Sequence, residues 1–80
     1  MEFQITKDYI DDGLMEGKGT RDHGKTEMPH RFRLLDDDGE IYFEGIASAE
    51  GFGPLDDFGR AYGCTEIQYH NQRTLQWETL

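Results

Sequence analysis

Residues 30–47 read HRFRLLDDDGEIYFEGIA, two apolar runs separated by three aspartates and a glycine. An Asp-Gly pair between alternating apolar residues is the strongest short-range signal of a β-hairpin. A two-residue turn at Asp38–Gly39 predicts four cross-strand pairs: Arg33 with Glu44, Leu34 with Phe43, Leu35 with Tyr42, and Asp36 with Ile41. This register gathers apolar side chains on one face, which we expect to line the core: Phe32, Leu34, Ile41 and Phe43.

The residues before this hairpin predict one strand and a long connection. Phe3 and Ile5 alternate with polar residues, which is typical of a strand within residues 1–10. Over residues 11–29 the alternation is lost, and four glycines interrupt a polar stretch of mixed charge. A loop of this length inside a small domain is either mobile or functional, and we expect residues 11–29 to be mobile.

The residues after this hairpin predict a lid and a second hairpin. Pro54 can begin a single helical turn and Gly59 can end it. Four apolar side chains have the spacing of a lid over the sheet: Phe52, Leu55, Phe58 and Tyr62. With a loop at residues 71–73, the second hairpin pairs Thr65 with Thr79, Ile67 with Trp77, and Tyr69 with Leu75. This register makes Trp77 a core residue.

Together these elements predict a mainly β fold in a single domain over residues 1–80. We expect an antiparallel sheet or a partly rolled barrel of about five short strands, with one short helical turn and a long glycine-rich loop. Leucine, isoleucine, valine and phenylalanine make up one fifth of the chain, and ten aromatic residues supply much of the apolar surface. A core of this size provides only a few kcal/mol of net stability.

Composition excludes several classes of protein. The chain has 80 residues, a single cysteine and no apolar run long enough for a membrane-spanning helix, so neither a transmembrane protein nor a disulfide scaffold is expected. A net charge of −9 argues against direct binding of nucleic acid. The first residues lack the basic and apolar regions of a signal peptide, so we expect a cytoplasmic protein.

The residues that could carry chemistry do not form a recognised catalytic or metal site. If Asp36 began a calcium loop, Ile41 would replace the required glycine and Ala47 the final glutamate. Cys64 and His70 lie on one predicted strand, about 20 Å apart at the usual rise per residue, which is too far for a nucleophile and its base. We therefore expect no enzyme, no cofactor and no bound metal.

The acidic charge is concentrated in the middle of the chain. Residues 1–33 carry a net charge of −1, residues 34–59 of −8, and residues 60–80 of zero. Such an asymmetry suggests a surface for a basic partner. The partner-binding residues that we predict are Asp36, Asp37, Asp38, Glu40, Asp56 and Asp57. Glu44 is left out because the predicted register pairs it with Arg33, and Asp56 with Asp57 also suits the first turn of a helix.

A small, acidic, non-enzymatic β protein with an aromatic core resembles the inhibitors that phages and mobile elements carry against bacterial defence systems. Anti-CRISPR proteins are the main group, and DNA mimics that block restriction are a second. Three stretches also resemble uncharacterised prophage or plasmid proteins: FRLLDDDGE at 32–40, PLDDFG at 54–59 and GCTEIQY at 63–69. The resemblance lies in size, charge and style, and it transfers no functional residue.

The resemblance implies a protein partner with a basic surface, such as a CRISPR effector complex whose DNA or RNA channel the protein would occupy. No membrane and no direct nucleic-acid contact are expected. The alternative is a non-enzymatic accessory or dimerisation module of a phage or plasmid, whose acidity serves only solubility. That module could act as a homodimer.

Overall fold

A computed structural model describes residues 1–19 and 27–80. The strands are β1 (Phe3–Asp8), β2 (His30–Leu35), β3 (Ile41–Ala47), β4 (Glu66–Asn71) and β5 (Gln76–Thr79). Between β3 and β4 lie the helix α1 (Gly53–Asp57) and a 3-10 turn (Gly59–Tyr62). The strands form one antiparallel sheet in the order β1-β3-β2-β4-β5, which is not closed into a barrel. The predicted mainly β class, with about five strands and one short helix, is confirmed.

The β2–β3 hairpin forms where the sequence predicts it. Leu34 lies opposite Phe43 and Arg33 lies opposite Glu44, as expected from the matched apolar and charged positions. The register then shifts, so that Leu35 lies opposite Ile41. The predicted pairs of Leu35 with Tyr42 and of Asp36 with Ile41 are therefore wrong.

The cause of this shift is the conformation of the turn. A two-residue type I′ turn needs positive φ at both central residues, whereas in this turn only Gly39 has positive φ, at 81°. The amide of Gly39 donates to the carbonyl of Asp36, and the amide of Asp36 donates to the carbonyl of Glu40. The loop therefore has three residues between Asp36 and Glu40, which is the usual length when a type I turn ends in a left-handed glycine.

The core lies between one face of the sheet and the segment that contains α1. Its buried residues come from β1–β4, from α1 and from the short segment between the 3-10 turn and β4. They are Phe3, Ile5, Phe32, Leu34, Phe43, Ala47, Leu55, Cys64, Ile67 and Tyr69. Gly45 in the centre of β3 makes room for the Phe32 ring, because a Cβ on Gly45 would lie 2.4 Å from it. Close packing of aromatic rings, one of them over a glycine, thus compensates for the small number of aliphatic side chains in the core.

The predicted lid covers the sheet with three of its four apolar residues. Leu55 is fully buried, and the rings of Phe58 and Tyr62 pack edge to face against Phe43, with centroids 4.9 and 5.2 Å away. Pro54 lies in the first turn of α1, as expected from its fixed φ. Phe52 is half exposed and lies just before the helix, so its predicted place in the lid is wrong.

The second hairpin forms with a different register from the predicted one. His70 lies opposite Trp77 and Tyr69 opposite Glu78, because the loop has four residues, 72–75. The side chain of Asn71 accepts hydrogen bonds from the amides of Arg73 and Thr74, which lengthens the turn. The difference from the predicted register is an odd number of residues, so Trp77 lies on the open face of the sheet and not in the core.

The segment after β1 contains more structure than the sequence predicts. Residues 11–17 form consecutive turns, and the amide of Ile5 donates to the carbonyl of Lys18 at 2.7 Å. Gly19 forms an isolated bridge to Gln4. The two backbones are so close that a Cβ on Gly19 would lie 2.2 Å from the carbonyl oxygen of Phe3. Residues 17–19 therefore pack along the outer edge of β1. Residues 20–26 of the predicted mobile loop lie outside the described residues, and the mobility of 11–29 stays a prediction.

Candidate interaction surface at the acidic end of the sheet

The register of β1, β3 and β2 brings two acidic segments to the same end of the sheet. Asp8 at the end of β1 lies opposite Phe43, and the amide of Tyr9 donates to the carbonyl of Tyr42 at 3.0 Å. The β2–β3 turn precedes Tyr42 by only a few residues. Residues 9–17, here called the tip, and residues 36–40, here called the acidic turn, thus form one acidic end.

The tip and the acidic turn contain seven carboxylates and no lysine or arginine: Asp11, Asp12, Glu16, Asp36, Asp37, Asp38 and Glu40. Of the six partner-binding residues predicted from the sequence, four belong to this end. The three tip carboxylates were missed because the sequence gives residues 11–17 no regular element. Only the pairing of β1 with β3 places them beside the acidic turn.

Asp36 builds the acidic turn. Its Oδ1 accepts hydrogen bonds of 2.9 Å from the amides of Asp38 and Glu40. The hydrogen bond from Glu40, together with one from the Tyr42 hydroxyl, lowers the pKa of Asp36 against the opposing effect of burial. Asp37, Asp38 and Glu40 have exposed side chains. Asp36 is therefore a structural residue of the turn, and its three acidic neighbours face solvent.

Asp8 organises the tip in a similar way. It is buried at 5% exposure, and its carboxylate accepts hydrogen bonds from the amides of Ile10, Asp11 and Met15. Burial acts to raise the pKa of Asp8, but these three hydrogen bonds outweigh it and the pKa is lowered. One buried carboxylate thus closes residues 8–15 into a compact loop.

The remaining two predicted partner-binding residues lie on α1. Asp56 forms an ion pair with Arg60 at 2.9 Å, and both side chains are more than half exposed. Such an exposed pair contributes little to stability. Asp57 is exposed in the last turn of α1. The lid touches the tip through Tyr62, whose hydroxyl donates to the Met15 sulfur.

Cationic side chains gather on the open face of the sheet. The guanidinium groups of Arg33 and Arg31 lie 4.5 and 5.5 Å from the centroid of the Trp77 ring, and the His70 ring lies 5.1 Å away. Arg33 faces Glu44 in register, but its Nε donates to Gln68 and Glu44 accepts from the Tyr9 hydroxyl. This cluster was missed because the sequence predicted Trp77 in the core. Asn71 was the residue in the sequence that could have indicated the longer loop, because an asparagine side chain can accept hydrogen bonds from the amides that follow it and so form an Asx turn.

An open cleft of about 310 Å³ lies beside the β4–β5 loop, at the end of the sheet opposite the acidic end. Its lining includes His30, Glu50, His70, Arg73 and Glu78. Arg73 and the carboxylates of Glu50 and Glu78 bring both signs of charge to the cleft, and His30 Nδ1 lies 3.5 Å from a Glu50 oxygen. Most of its lining residues are charged or polar, unlike those of the largely apolar cavities that usually hold small molecules.

The described residues offer little for covalent or metal chemistry. Cys64 is buried, and burial together with the nearby Asp36 carboxylate raises the pKa of its thiol to about 11, so the nucleophilic thiolate is scarce at neutral pH. Within residues 1–19 and 27–80, no three histidine, cysteine or acidic side chains are grouped as a metal site. In the same ranges, no helix is long and apolar enough to cross a membrane.

Comparisons of the chain with protein-family models, with curated proteins and with solved structures gave no match. The surface geometry described above is therefore the basis for the functional proposal.

Proposed function

We propose that the protein is a non-enzymatic binding protein that presents its acidic end to a basic surface of a protein partner. The observation that carries this proposal is the meeting of the tip and the acidic turn, with seven carboxylates and no lysine or arginine. Both segments are held by hydrogen bonds to Asp8 and Asp36, so the exposed carboxylates are presented on ordered backbone. Preorganised charge of one sign favours fast association and selects partners of the opposite sign.

The partner class that we propose is a nucleic-acid-binding defence complex, such as a CRISPR effector, whose basic channel the acidic end would occupy. Duplex DNA carries one charge per about 1.7 Å of axis, so seven carboxylates correspond to roughly 12 Å of duplex. The described part of the chain measures 34 × 31 × 20 Å, which suits a single basic groove. The protein would then act by competing with phosphate groups for the same lysines and arginines.

The test is competition with target DNA on purified RNA-guided effector complexes. We expect a stable complex, loss of target-DNA binding by the effector, and inhibition that weakens steeply as salt increases from about 50 to 300 mM. The decisive variant combines Asp37→Lys, Asp38→Lys and Glu40→Lys. Asp36 stays unchanged because it holds the turn.

The matched control makes the same change in net charge away from the acidic end. It combines Glu27→Lys, Glu50→Lys and Glu78→Lys, three exposed carboxylates outside the tip and the acidic turn. We expect the first variant to abolish inhibition and the control to retain it. Equal losses would mean that only the net charge matters, and inhibition that survives the first variant would refute competition with phosphate.

A second candidate function is an accessory or dimerisation module whose acidity serves solubility. The observation that favours it is the edge of the sheet at β5, which pairs only with β4 among the described residues. Edge strands can pair with a second copy of the chain. Sedimentation equilibrium in about 0.3 M salt tests this candidate, since a dimer there, together with no bound effector, would favour it over the inhibitor.

A further inference from the structure

The tip exposes large apolar side chains amid its carboxylates. Leu14 is 72% exposed and Ile10 is 42% exposed, while Tyr9 is also half exposed. Asp11, Asp12 and Glu16 lie among them in the chain, and the Lys7 ammonium lies 5.8 Å from the centroid of the Tyr9 ring. Apolar side chains that are grouped at the surface and rimmed by polar groups mark contact sites for other proteins more often than isolated ones do.

The carboxylate of Asp8 ties together the two stretches of backbone that carry Ile10 and Leu14. The amide of Ile10 donates to Oδ1 of this carboxylate at 2.9 Å, and the amide of Met15, the residue after Leu14, donates to Oδ2 at 3.0 Å. Met15 is partly buried against the core. Leu14, its neighbour in the chain, remains at the surface.

Hydrogen bonds connect the backbone of the tip to β1 and join its residues to one another. The amide of Gly17 donates to the carbonyl of Ile5 at 2.7 Å, and the amide of Leu14 donates to the carbonyl of Asp11 at 3.0 Å. Asp12 has φ of 52°, in the left-handed region that aspartate and asparagine tolerate better than most residues other than glycine. Because these hydrogen bonds restrain the backbone on both sides of Leu14, we expect binding there to cost little further ordering.

We propose that Ile10 and Leu14 are the apolar anchor of the acidic end, and that they bind an amphipathic basic segment of the partner protein. This segment would place an apolar side chain on Leu14 and lysine or arginine beside Asp11, Asp12 and Glu16. The inference rests on the proposed function, and it adds a specific contact to a charge-based one. Apolar contact is insensitive to salt screening, so it would retain the partner after electrostatic attraction has guided it.

Charge complementarity selects this occupant over others. A second copy that met this end in a two-fold symmetric contact would bring the same carboxylates, and the net charge of −9 on each copy opposes association in other arrangements. Nucleic acid and anionic lipid would be repelled for the same reason. A basic protein segment satisfies both the apolar side chains and their acidic rim.

The experiment is an NMR titration of the whole chain with three synthetic helical peptides of equal length. The first peptide has leucine on one face of the helix and lysine on the other. The second has serine in place of each leucine, and the third has glutamate in place of each lysine. We expect the leucine–lysine peptide to bind most tightly and to shift the amide signals of residues 9–17. The peptide without leucine should bind more weakly and lose its binding at about 0.3 M salt.

The matched pair of variants is Leu14→Asn and Leu75→Asn. Both leucines are 72% exposed, but Leu75 lies in the β4–β5 loop at the opposite end. We expect Leu14→Asn to weaken the leucine–lysine peptide about fivefold to tenfold and Leu75→Asn to leave it unchanged. If Leu14→Asn lowers the melting temperature, Ile10→Asn replaces it in the comparison.

The outcomes separate this inference from the proposed function. Equal affinity of the Leu14 and Leu75 variants would overturn the anchor, while salt-sensitive binding of the leucine-free peptide would leave the proposed function standing. Equal binding of the leucine–glutamate peptide would overturn the basic nature of the occupant. If none of the lysine peptides binds, the anchor and the proposed basic partner both fail.

Discussion

The two ends of the sheet differ in how their charged side chains are partnered. At the acidic end, the tip and the acidic turn carry charges of one sign. At the opposite end, His30 lies beside Glu50 and Asn71 donates to Glu78, so the groups of the cleft partly satisfy one another. Antiparallel strands send alternate connections to alternate ends, so the topology decides which charges meet. Strand order as well as sequence therefore gathers the excess negative charge of this chain at one end of the sheet.

The acidic end also divides its carboxylates between two tasks. Asp8 and Asp36 accept backbone hydrogen bonds and build the tip and the turn. Asp37, Asp38 and Glu40 face solvent. Hydrogen bonds to a charged acceptor are stronger than neutral ones, which explains how a segment rich in like charges keeps an ordered backbone.

The largest effect is expected at Phe43, the core ring beneath the acidic end. Phe43→Ala removes a fully buried ring that packs against Phe58 and Tyr62, and we expect it to reduce the free energy of unfolding by about 3–5 kcal/mol. In a domain of this size the variant should be largely unfolded. Urea denaturation followed by far-ultraviolet circular dichroism measures the loss.

Trp77→Ala is the control on the other face of the sheet. Trp77 is only half buried, against Arg33 and Arg31, so we expect a loss of about 1–2 kcal/mol. A loss as large as that of Phe43→Ala would mean that the open face contributes to stability as much as the core does.

The second effect concerns Asp8 and acid pH. The pKa of Asp8 is lowered in the folded state, so its contribution is fully present above the ordinary aspartate pKa of about 4 and is lost as pH falls through the lowered value. Asp8→Asn leaves one acceptor in place of two, and we expect a loss of about 1–3 kcal/mol at pH 7. The difference in the free energy of unfolding between the wild type and Asp8→Asn should decrease as the pH falls from about 5 to about 2. Urea denaturation at each pH measures this difference.

Asp12→Asn is the control within the same tip. Asp12 is exposed, and asparagine tolerates its positive φ as well as aspartate does. Its stability should follow that of the wild type over the same pH range. A gap for Asp8→Asn that stays constant with pH would contradict the role of the ionised carboxylate.

A smaller effect distinguishes the two kinds of carboxylate in the acidic turn. Asp36→Asn weakens the acceptor of the Asp38 and Glu40 amides, and we expect a lower urea midpoint. Asp37→Asn should leave that midpoint unchanged, because its side chain is exposed. Equal midpoints for the two variants would show that Asp36 does not hold the turn. A lower midpoint for Asp36→Asn alone would justify leaving Asp36 unchanged in the charge-reversal variant.

The smallest expected difference is in the dynamics of the tip. Its hydrogen bonds predict that the amides of Met15 and Gly17 have heteronuclear NOE values close to those of β2 and β3. The sequence, in contrast, predicts mobility across residues 11–29. Low values at Met15 and Gly17 would favour mobility and would weaken the proposal of a preorganised tip.

Local sequence was sufficient for the β2–β3 hairpin and for most of the lid. Alternating apolar residues around Asp38–Gly39 fix the face that is buried, because a slip of one residue would expose that face. The helix begins near Pro54 for an equally local reason, the fixed φ of proline. The exact length of each turn depends on single side chains, Asp36 in one case and Asn71 in the other, and the sequence did not reveal their hydrogen bonds.

The sequence by itself determined the fold class, the excess of negative charge and the absence of a recognised catalytic motif, since these depend on composition and on residue periodicity. Tertiary structure alone decided that Trp77 lies with Arg33 on the open face, because the β4–β5 register depends on loop length. It alone brought the tip beside the acidic turn. Residues 18–35 separate the two segments in the chain, and the antiparallel pairing of β1 with β3 brings them to the same end of the sheet.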